Sequence, residues 1–374
     1  MNFVMMKRNI HIIPSLGYGG AETFLLRLLP KFENKNVVLT FYKTEYDMSR
    51  IKNKKISYIT LDPRRTSIKD IYLLIKLLAS LNEEDIIFSW LYISDLLACF
   101  LKCIFFWKKF KIIWNVRNSI ITEEYSFFSN ISFELLRKVF MFIPNKIIFN
   151  SHNSMLEHIK KGYSKEKCIT IHNGYERLSK FQKPKVEKKF FKIAYVARYH
   201  PQKNHKLLLE SISLYKKNFN QNFKLFLAGK NIDDKNSFLK EQISKLDLKY
   251  NVILCGILDQ KKIHELFSKC DITLLLSNYG EGFPNVIAEA MLYGTFPIAT
   301  DIGESKYIVN KYGKIIPPNS DPLLISSLIN DFENMKRNSF CKWQAKVCDC
   351  QEFSKERFSL ESISKSFNYI TENL

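Results

Sequence analysis

A stretch in the last third of the chain constrains the fold more than any other. Ile272 to Leu276 is a short apolar run typical of a buried parallel strand, and Val286 to Leu292 is apolar at helical spacing. The join between them contains Gly280, Gly282 and Pro284, which suit a tight turn leading into a first helical turn. The pattern therefore predicts a strand, a glycine-rich turn and a helix whose first backbone amides attract an anion, phosphate above all.

Two carboxylates flank the predicted turn. Glu281 lies within it, and Glu289 lies about a turn and a half into the helix. Carboxylates accept hydrogen bonds from hydroxyl groups, whereas the helix amides attract phosphate. Both preferences side by side favour a sugar nucleotide as the ligand.

Strand and helix patterns alternate along the rest of the chain, beginning with strands at Asn9–Pro14 and, further on, Lys111–Val116. Residues 176–189 are polar and rich in lysine, which predicts a linker, and the alternation restarts beyond them. Alternating strands and helices indicate a doubly wound parallel sheet, and 374 residues suit two such domains. We therefore predict an α/β chain with Rossmann-like domains at 1–175 and 190–354.

Ligands of doubly wound sheets bind beyond the carboxyl ends of the strands, so the residues just after the strands are the candidates for function. Gly19 and Gly20 end such a loop after the first strand and have the makings of a phosphate cradle, although a plain tight turn explains them nearly as well. Arg198 and Lys203 follow the first strand of the second domain. A guanidinium and an ammonium five residues apart can converge on one diphosphate and stabilise its departure, with surface ion pairs as the alternative.

Composition excludes some classes and leaves others open. The eight cysteines are scattered without a CxxC pair, which predicts neither disulfides nor a metal site. No apolar run is long enough to span a bilayer, and the N-terminus lacks the pattern of a signal peptide, so a cytoplasmic protein is expected. The net charge of +20 is spread over both halves. It fits nucleic-acid binding, attraction to anionic lipids, or simply lysine-rich solvated faces.

Several motifs in order give the chain a clear resemblance to a known family. They are Gly19-Gly20-Ala21-Glu22, Ile171-His172-Asn173-Gly174, Val196-Ala197-Arg198 with Pro201-Gln202-Lys203-Asn204, Glu281-Gly282-Phe283-Pro284 with Glu289-Ala290-Met291, and Thr300-Asp301-Ile302-Gly303. With these motifs the chain resembles, over essentially its whole length, the family 4 retaining glycosyltransferases of GT-B architecture.

The resemblance implies two Rossmann-like domains facing across a cleft, with the final helix, about 355–374, packing back on the first domain. The donor would be a nucleotide-activated hexose or N-acetylhexosamine, with uridine the usual base. The implied diphosphate ligands are Arg198 and Lys203, helped by Gly20. The implied sugar contacts are Glu281 and the stretch after it, Gly282, Phe283, Pro284 and Asn285. The implied ribose contact is Glu289, and the backbone near Gly256 would line the base.

The resemblance also implies a reaction. Transfer would retain the anomeric configuration, with the departing phosphate oxygen as the base and no protein nucleophile. Glu281, Arg198 and Lys203 would be the catalytic residues. The sequence contains no Asp-x-Asp motif, which fits a reaction without a metal or other cofactor.

The acceptor side departs from the commonest family pattern. Many relatives place a histidine after the strand that is here Lys111–Val116, whereas this chain has Arg117. A subset of relatives with arginine there shares a W-x-Y-x-x-D-L stretch, to which Trp90–Leu96 is similar. Asp95 and Arg117 are therefore candidate acceptor-site residues. Capping of its own helix is the alternative for Asp95.

Two segments of the first domain, Leu96–Lys111 and Phe127–Lys146, mix aromatic and basic residues. They suit peripheral docking on an anionic inner leaflet, and core helices with basic ends are the alternative. A lipid-linked saccharide acceptor in surface glycan synthesis, such as O-antigen or capsule, is accordingly expected. A sugar-nucleotide epimerase and a nucleic-acid-binding protein that lost catalysis are the rival functions, although the intact set of Arg198, Lys203, Glu281 and Glu289 argues against both.

Overall fold

The computed structural model describes residues 7–17, 19–42, 53–62, 66–117, 127–176 and 190–374. The chain divides into two compact units. The first unit is Met1–Glu176 with Ser359–Leu374, and the second is Arg177–Phe358. The predicted linker, 176–189, lies outside the described residues except for Glu176.

The first unit is built on a parallel sheet. Its strands are β1 (Arg8–Ile12), β2 (Lys35–Thr40), β3 (Ile56–Thr60), β4 (Ile86–Trp90), β5 (Lys111–Val116), β6 (Lys146–Phe149) and β7 (Cys168–Thr170). They pair in the order β3-β2-β1-β4-β5-β6-β7. Its helices are α1 (Gly20–Leu28), α2 (Ile68–Ala79), α3 (Tyr92–Ile104), α4 (Phe127–Lys138), α5 (His152–Lys160) and α13 (Leu360–Glu372).

Both faces of this sheet are covered, because successive strand residues point to opposite sides. In β4, Phe88 and Trp90 pack in the core beneath α1 and α13, whereas Ile87 packs in the core beneath the layer of α2 to α5. The chain enters α13 where the Leu360 amide donates to the Tyr175 carbonyl at 2.7 Å. The last helix thereby completes one of the two helical layers of the first unit.

The second unit repeats the plan with a smaller sheet. Its strands are β8 (Phe191–Val196), β9 (Phe223–Ala228), β10 (Val252–Leu254), β11 (Ile272–Leu275), β12 (Phe296–Thr300) and β13 (Lys314–Ile316), in the order β10-β9-β8-β11-β12-β13. Its helices are α6 (His205–Asn218), α7 (Ser237–Lys245), α8 (Gln260–Lys269), α9 (Asn285–Leu292), α10 (Ser305–Val309), α11 (Pro322–Asn338) and α12 (Phe340–Phe358). The predicted fold class, two doubly wound parallel sheets, is confirmed.

Two short elements were not foreseen from the sequence. They are the strand β13 and the helix α10, each too short to carry a hydrophobic period of its own. Pairing with β12 places β13 at the edge of the sheet. Among the described residues, no helix combines the length and the apolar character that crossing a bilayer requires.

Candidate active site

The order of the second sheet reverses between β8 and β11, which pair in parallel with Ile193 opposite Ile272. Strand connections leave such a pair in opposite directions, so a crevice opens beyond the two carboxyl ends. The loop after β8 carries Arg198 and Lys203, and the loop after β11 carries Glu281. The fold therefore brings the three predicted catalytic residues to one edge of one sheet.

The loop after β8 is held close to its strand. A 3₁₀ turn, Pro201–Lys203, ends this loop, and the buried Tyr195 hydroxyl donates to the Lys203 carbonyl. Asn204 then adopts a left-handed conformation, φ 48°, and its side chain caps α6 by accepting from the Leu207 amide. The Arg198 side chain is exposed, whereas that of Lys203 is only 17 % exposed. One cation is thus open to solvent and the other is partly enclosed.

The partly enclosed cation is paired. Lys203 Nζ contacts Glu281 Oε1, and the same carboxylate oxygen accepts from the Ser277 hydroxyl at 2.7 Å. The Glu281 side chain is 12 % exposed. Lys203, the predicted diphosphate-binding residue, and Glu281, the predicted sugar-binding residue, therefore neutralise each other.

The two loops are also tied together by neutral side chains. The Gln202 carbonyl accepts from the Asn278 amide at 2.9 Å, and Gln202 Nε2 donates to the Tyr279 carbonyl at 2.9 Å. Asn204 Nδ2 donates to Asn278 Oδ1, also at 2.9 Å. Arg198 reaches Gln202 Oε1 at 3.5 Å. The sequence did not predict that Gln202 and Asn278 join the two loops, because their only signal is a polar side chain next to a motif residue.

Close backbone approach explains two glycines around Glu281. Gly280 adopts φ 74°, and a Cβ there would lie 2.8 Å from Gln202 Nε2. Gly303 adopts φ 58°, and a Cβ there would lie 2.1 Å from the Glu281 carbonyl oxygen. No other residue fits that second position without moving the backbone of the Glu281 loop. Thr300 supports the same loop, since its hydroxyl donates to the Ser277 carbonyl at 2.8 Å.

The helix predicted after the turn is α9, and Pro284 is its N-cap residue. Within the described chain, Pro284 makes no side-chain cap to this terminus, and a helix start of this kind attracts anions. Phe283 is buried and packs against Phe358 with ring centroids 5.7 Å apart. Glu289 lies half-buried in the second turn of α9. Phe283 thus packs the turn before α9 against α12, and Glu289 lies within α9.

The backbone near Gly256 lies beyond the end of β10. Gly256 adopts φ 64°, and its carbonyl accepts from the Gly229 amide at 2.8 Å. Gly229 follows β9, so these two loops are joined at the carboxyl edge of the second sheet. The predicted base contact is therefore on the edge that also carries Arg198 and Glu281.

In the first unit, Gly19 is the N-cap of α1 and Gly20 is its first residue, both exposed. The Glu22 carboxylate lies against Gly19, where a Cβ would be 2.2 Å from Glu22 Oε2. An acidic side chain in the first turn is itself stabilised by the helix dipole. The start of α1 is thus open, and Glu22 occupies part of its surroundings.

Asp95 does not cap α3. The N-cap residue is Leu91, and the fully buried Asp95 carboxylate accepts from the Ser89 hydroxyl at 2.5 Å. Its Oδ2 atom has no hydrogen-bond partner among the described residues. Burial raises the pKa of Asp95 well above its usual range, despite the Ser89 hydrogen bond. The acceptor role of Asp95 stays a prediction, and its burial favours a structural one.

Arg117 is enclosed by aromatic rings. Its guanidinium lies 4.5 Å from the Phe24 ring centroid and 5.3 Å from that of Trp90. It donates to the Ile171 carbonyl at 3.2 Å and to Asn173 Oδ1 at 3.1 Å. Burial lowers the pKa of Arg117 to about 9, so the group is still a cation at neutral pH. Arg117 ties the end of β5 to the motif stretch 171–174, and its acceptor role also stays a prediction.

Across the described ranges, no cluster of three or more histidine, cysteine, aspartate or glutamate side chains could hold an ion.

A family model matches most of the second unit. Residues 176–345 match the model described as glycosyl transferases group 1. The matched range contains the loops after β8 and β11 and the whole of α9.

Two curated proteins are similar along the sequence. The chain is 25 % identical over 324 residues to the capsular polysaccharide biosynthesis glycosyltransferase CapH of Staphylococcus aureus, covering 83 % of this chain and 85 % of CapH. It is 26 % identical over 239 residues to an uncharacterized 41.2 kDa protein in the cps region of Klebsiella pneumoniae, covering 59 % of each chain.

A solved structure matches the whole fold. HepE of Anabaena, crystallised in complex with UDP and glucose, superimposes with a TM-score of 0.75 at 19 % identity. The match covers 99 % of this chain and all of HepE. At that identity the likeness concerns the fold alone.

Proposed function

We propose that this chain is a group 1 glycosyltransferase of GT-B fold, and that it transfers a hexose or N-acetylhexosamine from a UDP-sugar to a saccharide acceptor with retention of configuration. The observation that carries the proposal is the meeting of Arg198, Lys203 and Glu281 at the carboxyl edge of β8 and β11. Cations for a diphosphate and a carboxylate for sugar hydroxyls are what this donor requires. UDP as the carrier is supported by HepE, whose structure contains UDP.

The proposed role of the two cations is to stabilise the leaving diphosphate. Negative charge grows on the phosphate oxygen as the sugar departs, and fixed positive charge there lowers the barrier. Arg198 offers a bidentate fork, whereas Lys203 offers a point charge. The departing phosphate oxygen then takes the proton of the acceptor hydroxyl, which attacks from the same face.

The contact between Lys203 and Glu281 gives donor binding a further consequence. We propose that Lys203 gives up part of its contact with Glu281 when it binds phosphate. The freed carboxylate of Glu281, still held by Ser277, then accepts from the sugar hydroxyls. Diphosphate binding and sugar binding are thereby coupled through one exchange of partners.

The reaction is proposed to need no metal ion or other cofactor, with Arg198 and Lys203 neutralising the diphosphate. Transfer measured in excess chelator should match transfer with added magnesium. Strict dependence on a divalent cation would contradict this part of the proposal.

The acceptor is proposed to be a lipid-linked saccharide in the synthesis of a surface polysaccharide, at the cytoplasmic face of the membrane. CapH, a capsular polysaccharide glycosyltransferase, supports the pathway class. The positive charge of the chain, +20, supports contact with anionic lipids.

The test of the proposed function is a panel of sugar nucleotides offered to the purified protein. We expect UDP release from at least one UDP-sugar and, with an acceptor, a product whose new linkage keeps the donor anomer by NMR. An inverted linkage would overturn the retaining mechanism, and no turnover or binding across the panel would overturn the transferase itself.

A further inference from the structure

Helix α2 carries apolar side chains on the face turned away from the core. Ile68 is 88 % exposed, and Ile71, Tyr72 and Ile75 are exposed as well. Their spacing of three and four residues places them on one stripe. The opposite side of the same helix packs on the sheet through Leu77. A helix that is apolar on both sides is ordinarily buried on both, whereas the outer stripe of α2 is exposed in the part of the chain that the structure describes.

The stripe belongs to a well-formed helix. Ser67 and Asp70 make a capping box, in which the Asp70 amide donates to the Ser67 hydroxyl and the Ser67 amide donates to Asp70 Oδ2 at 3.0 Å. Helix-forming residues and a cap fix the direction of the side chains. The exposure of the stripe is therefore built into the helix and does not arise from fraying.

Further exposed apolar side chains lie on the segments that follow α3 and α4, in the same helical layer as α2. Phe106 and Trp107, which follow α3, are 75 % and 61 % exposed, with ring centroids 5.2 Å apart. Lys108, the next residue, donates to the Leu78 carbonyl at 3.1 Å and so ties this segment to the end of α2. Phe142, after α4, is 74 % exposed. Close to half of the exposed large apolar side chains in the described chain fall between residues 68 and 142.

Basic side chains flank this surface. Lys69 and Lys76 lie on α2, both exposed and seven residues apart, which places them along one edge of the apolar stripe. Lys109 is exposed directly after Trp107 and Lys108. Apolar and aromatic residues rimmed by lysines are the pattern of helices that lie in the interface of an anionic membrane.

We propose that the outer face of α2, together with Phe106, Trp107 and Phe142, is a docking surface for an anionic lipid bilayer. It deepens the proposed function, since it rests on a lipid-linked acceptor and names the surface by which the enzyme reaches it. The sequence predicted docking through Leu96–Lys111 and Phe127–Lys146 alone, whereas the structure adds the outer stripe of α2.

Charge decides between a bilayer and a second copy of the chain. A symmetric pairing on this surface would place Lys69, Lys76 and Lys109 of one copy close to the same lysines of the other. Like charges brought together across an interface repel, and the whole chain already carries +20. Anionic headgroups neutralise the same lysines while the apolar side chains enter the acyl boundary.

Trp107 reports on docking without any added label. Of the four tryptophans, Trp90, Trp114 and Trp343 are buried, and Trp107 alone is exposed. Vesicles of phosphatidylglycerol mixed with phosphatidylcholine should shift the emission of the full-length protein to shorter wavelength, and brominated acyl chains should quench it. Pure phosphatidylcholine vesicles should give a smaller shift, and Trp107→Phe should abolish it.

Substitutions distinguish docking by this surface from nonspecific hydrophobic adsorption of the protein to vesicles. Ile68→Asn with Ile75→Asn should weaken vesicle binding by about tenfold or more, because two apolar side chains no longer enter the bilayer. The matched control, Tyr250→Asn with Leu323→Asn, alters two exposed apolar residues of the second unit and should leave binding unchanged. Equal binding by both double variants would overturn the surface.

Two further outcomes keep the inference apart from the proposed function. A shift of Trp107 emission that depends on protein concentration without vesicles, with dimers in sedimentation, would assign the surface to a second copy and overturn the bilayer. UDP binding, followed by thermal shift, should be the same in wild type and in the α2 variant. If the protein binds vesicles but not UDP, the proposed transferase function is wrong and the docking surface is supported. If it binds UDP but not vesicles, only the docking surface is wrong.

Discussion

The two sheets share one strand order around the point of reversal, yet they treat their polar residues differently. Beyond β8 and β11, Arg198 is exposed, and Lys203 and Glu281 are paired with each other in a partly open position. Beyond β4 and β5, Asp95 and Arg117 are buried and engaged with groups of their own unit. In the second unit, therefore, a ligand can bind to charged side chains that are at least partly exposed. In the first unit, Asp95 and Arg117 are buried and bonded to groups of the fold.

This difference teaches that position at the carboxyl edge of a sheet is not enough to assign a ligand-binding role. An ion pair that is 12–17 % exposed can exchange partners. A guanidinium stacked on aromatic rings and donating to a carbonyl cannot leave without loosening the fold. Substitutions in the two units test this contrast between charged groups that bind a ligand and buried groups that stabilise the fold.

Removing either cation of the second unit should affect turnover most. Arg198→Ala and Lys203→Ala should each lower UDP-sugar turnover by about a hundredfold to a thousandfold, because charge develops on the diphosphate as it leaves. Steady-state UDP release measures the effect. Lys206→Ala is the matched control, since Lys206 is 84 % exposed on α6 and should tolerate the change. Mild effects at both positions would refute the diphosphate assignment.

Glu281→Ala should separate chemistry from nucleotide binding. Turnover should fall by about a hundredfold, because contacts to the reacting sugar are lost. UDP should bind at least as tightly as before, since Lys203 no longer has to leave a carboxylate. Calorimetric titration with UDP beside a turnover assay gives both numbers, with Glu210→Ala as the exposed control. A loss of UDP affinity as large as the loss of turnover would contradict the proposed exchange.

Arg117→Ala should act on stability. Its loss removes the hydrogen bonds to the Ile171 carbonyl and to Asn173 Oδ1 and takes a cation from between aromatic rings, at a cost of about 3 kcal/mol. Urea unfolding followed separately in each unit measures it, with Arg137→Ala on α4 as the control. A variant of full stability that fails to glycosylate the acceptor would instead place Arg117 in the acceptor site.

The smallest expected effect concerns His205 in the second unit. Burial, with Lys203 nearby, lowers its pKa to about 4, and neither ring nitrogen has a partner within the described part of the chain. The unfolded chain therefore binds a proton that the folded state refuses between about pH 6.5 and pH 4, and this difference costs stability as the pH falls.

His205→Phe removes that proton and keeps a ring against Tyr195 and Tyr199. We expect it to gain about 1 kcal/mol near neutral pH and more at pH 5, measured as unfolding free energy. An unchanged pH profile would show that His205 is solvated or paired in solution.

Local pattern was enough to predict much of the fold. The strand β11, the turn and α9 were predicted because an apolar run, glycines and a proline fix local conformation. Gly280 and Gly303 illustrate what pattern cannot supply, since their need arises from a side chain and a carbonyl distant in sequence.

Side-chain partnerships were out of reach for the same reason. Gln202 meets Asn278 and Tyr279 across more than seventy residues of chain, and nothing near either position announces the contact. Asp95 is a related case, because the W-x-Y-x-x-D-L stretch that suggested an acceptor contact gave no sign that its carboxylate would be buried. The motifs predicted which residues lie at the carboxyl edges of the sheets. Only the packing of the structure distinguished exposed side chains from buried, hydrogen-bonded ones.

The measurement that tests the central claim most directly is UDP release from a panel of UDP-sugars by wild type and by Lys203→Ala, with Lys206→Ala beside them. Wild type and Lys206→Ala should turn over the same UDP-sugar at equal rates, and Lys203→Ala should be slower by at least about a hundredfold. Turnover by Lys203→Ala at the wild-type rate, or no turnover of any sugar nucleotide by wild type, would contradict a donor site at the carboxyl edge of β8 and β11.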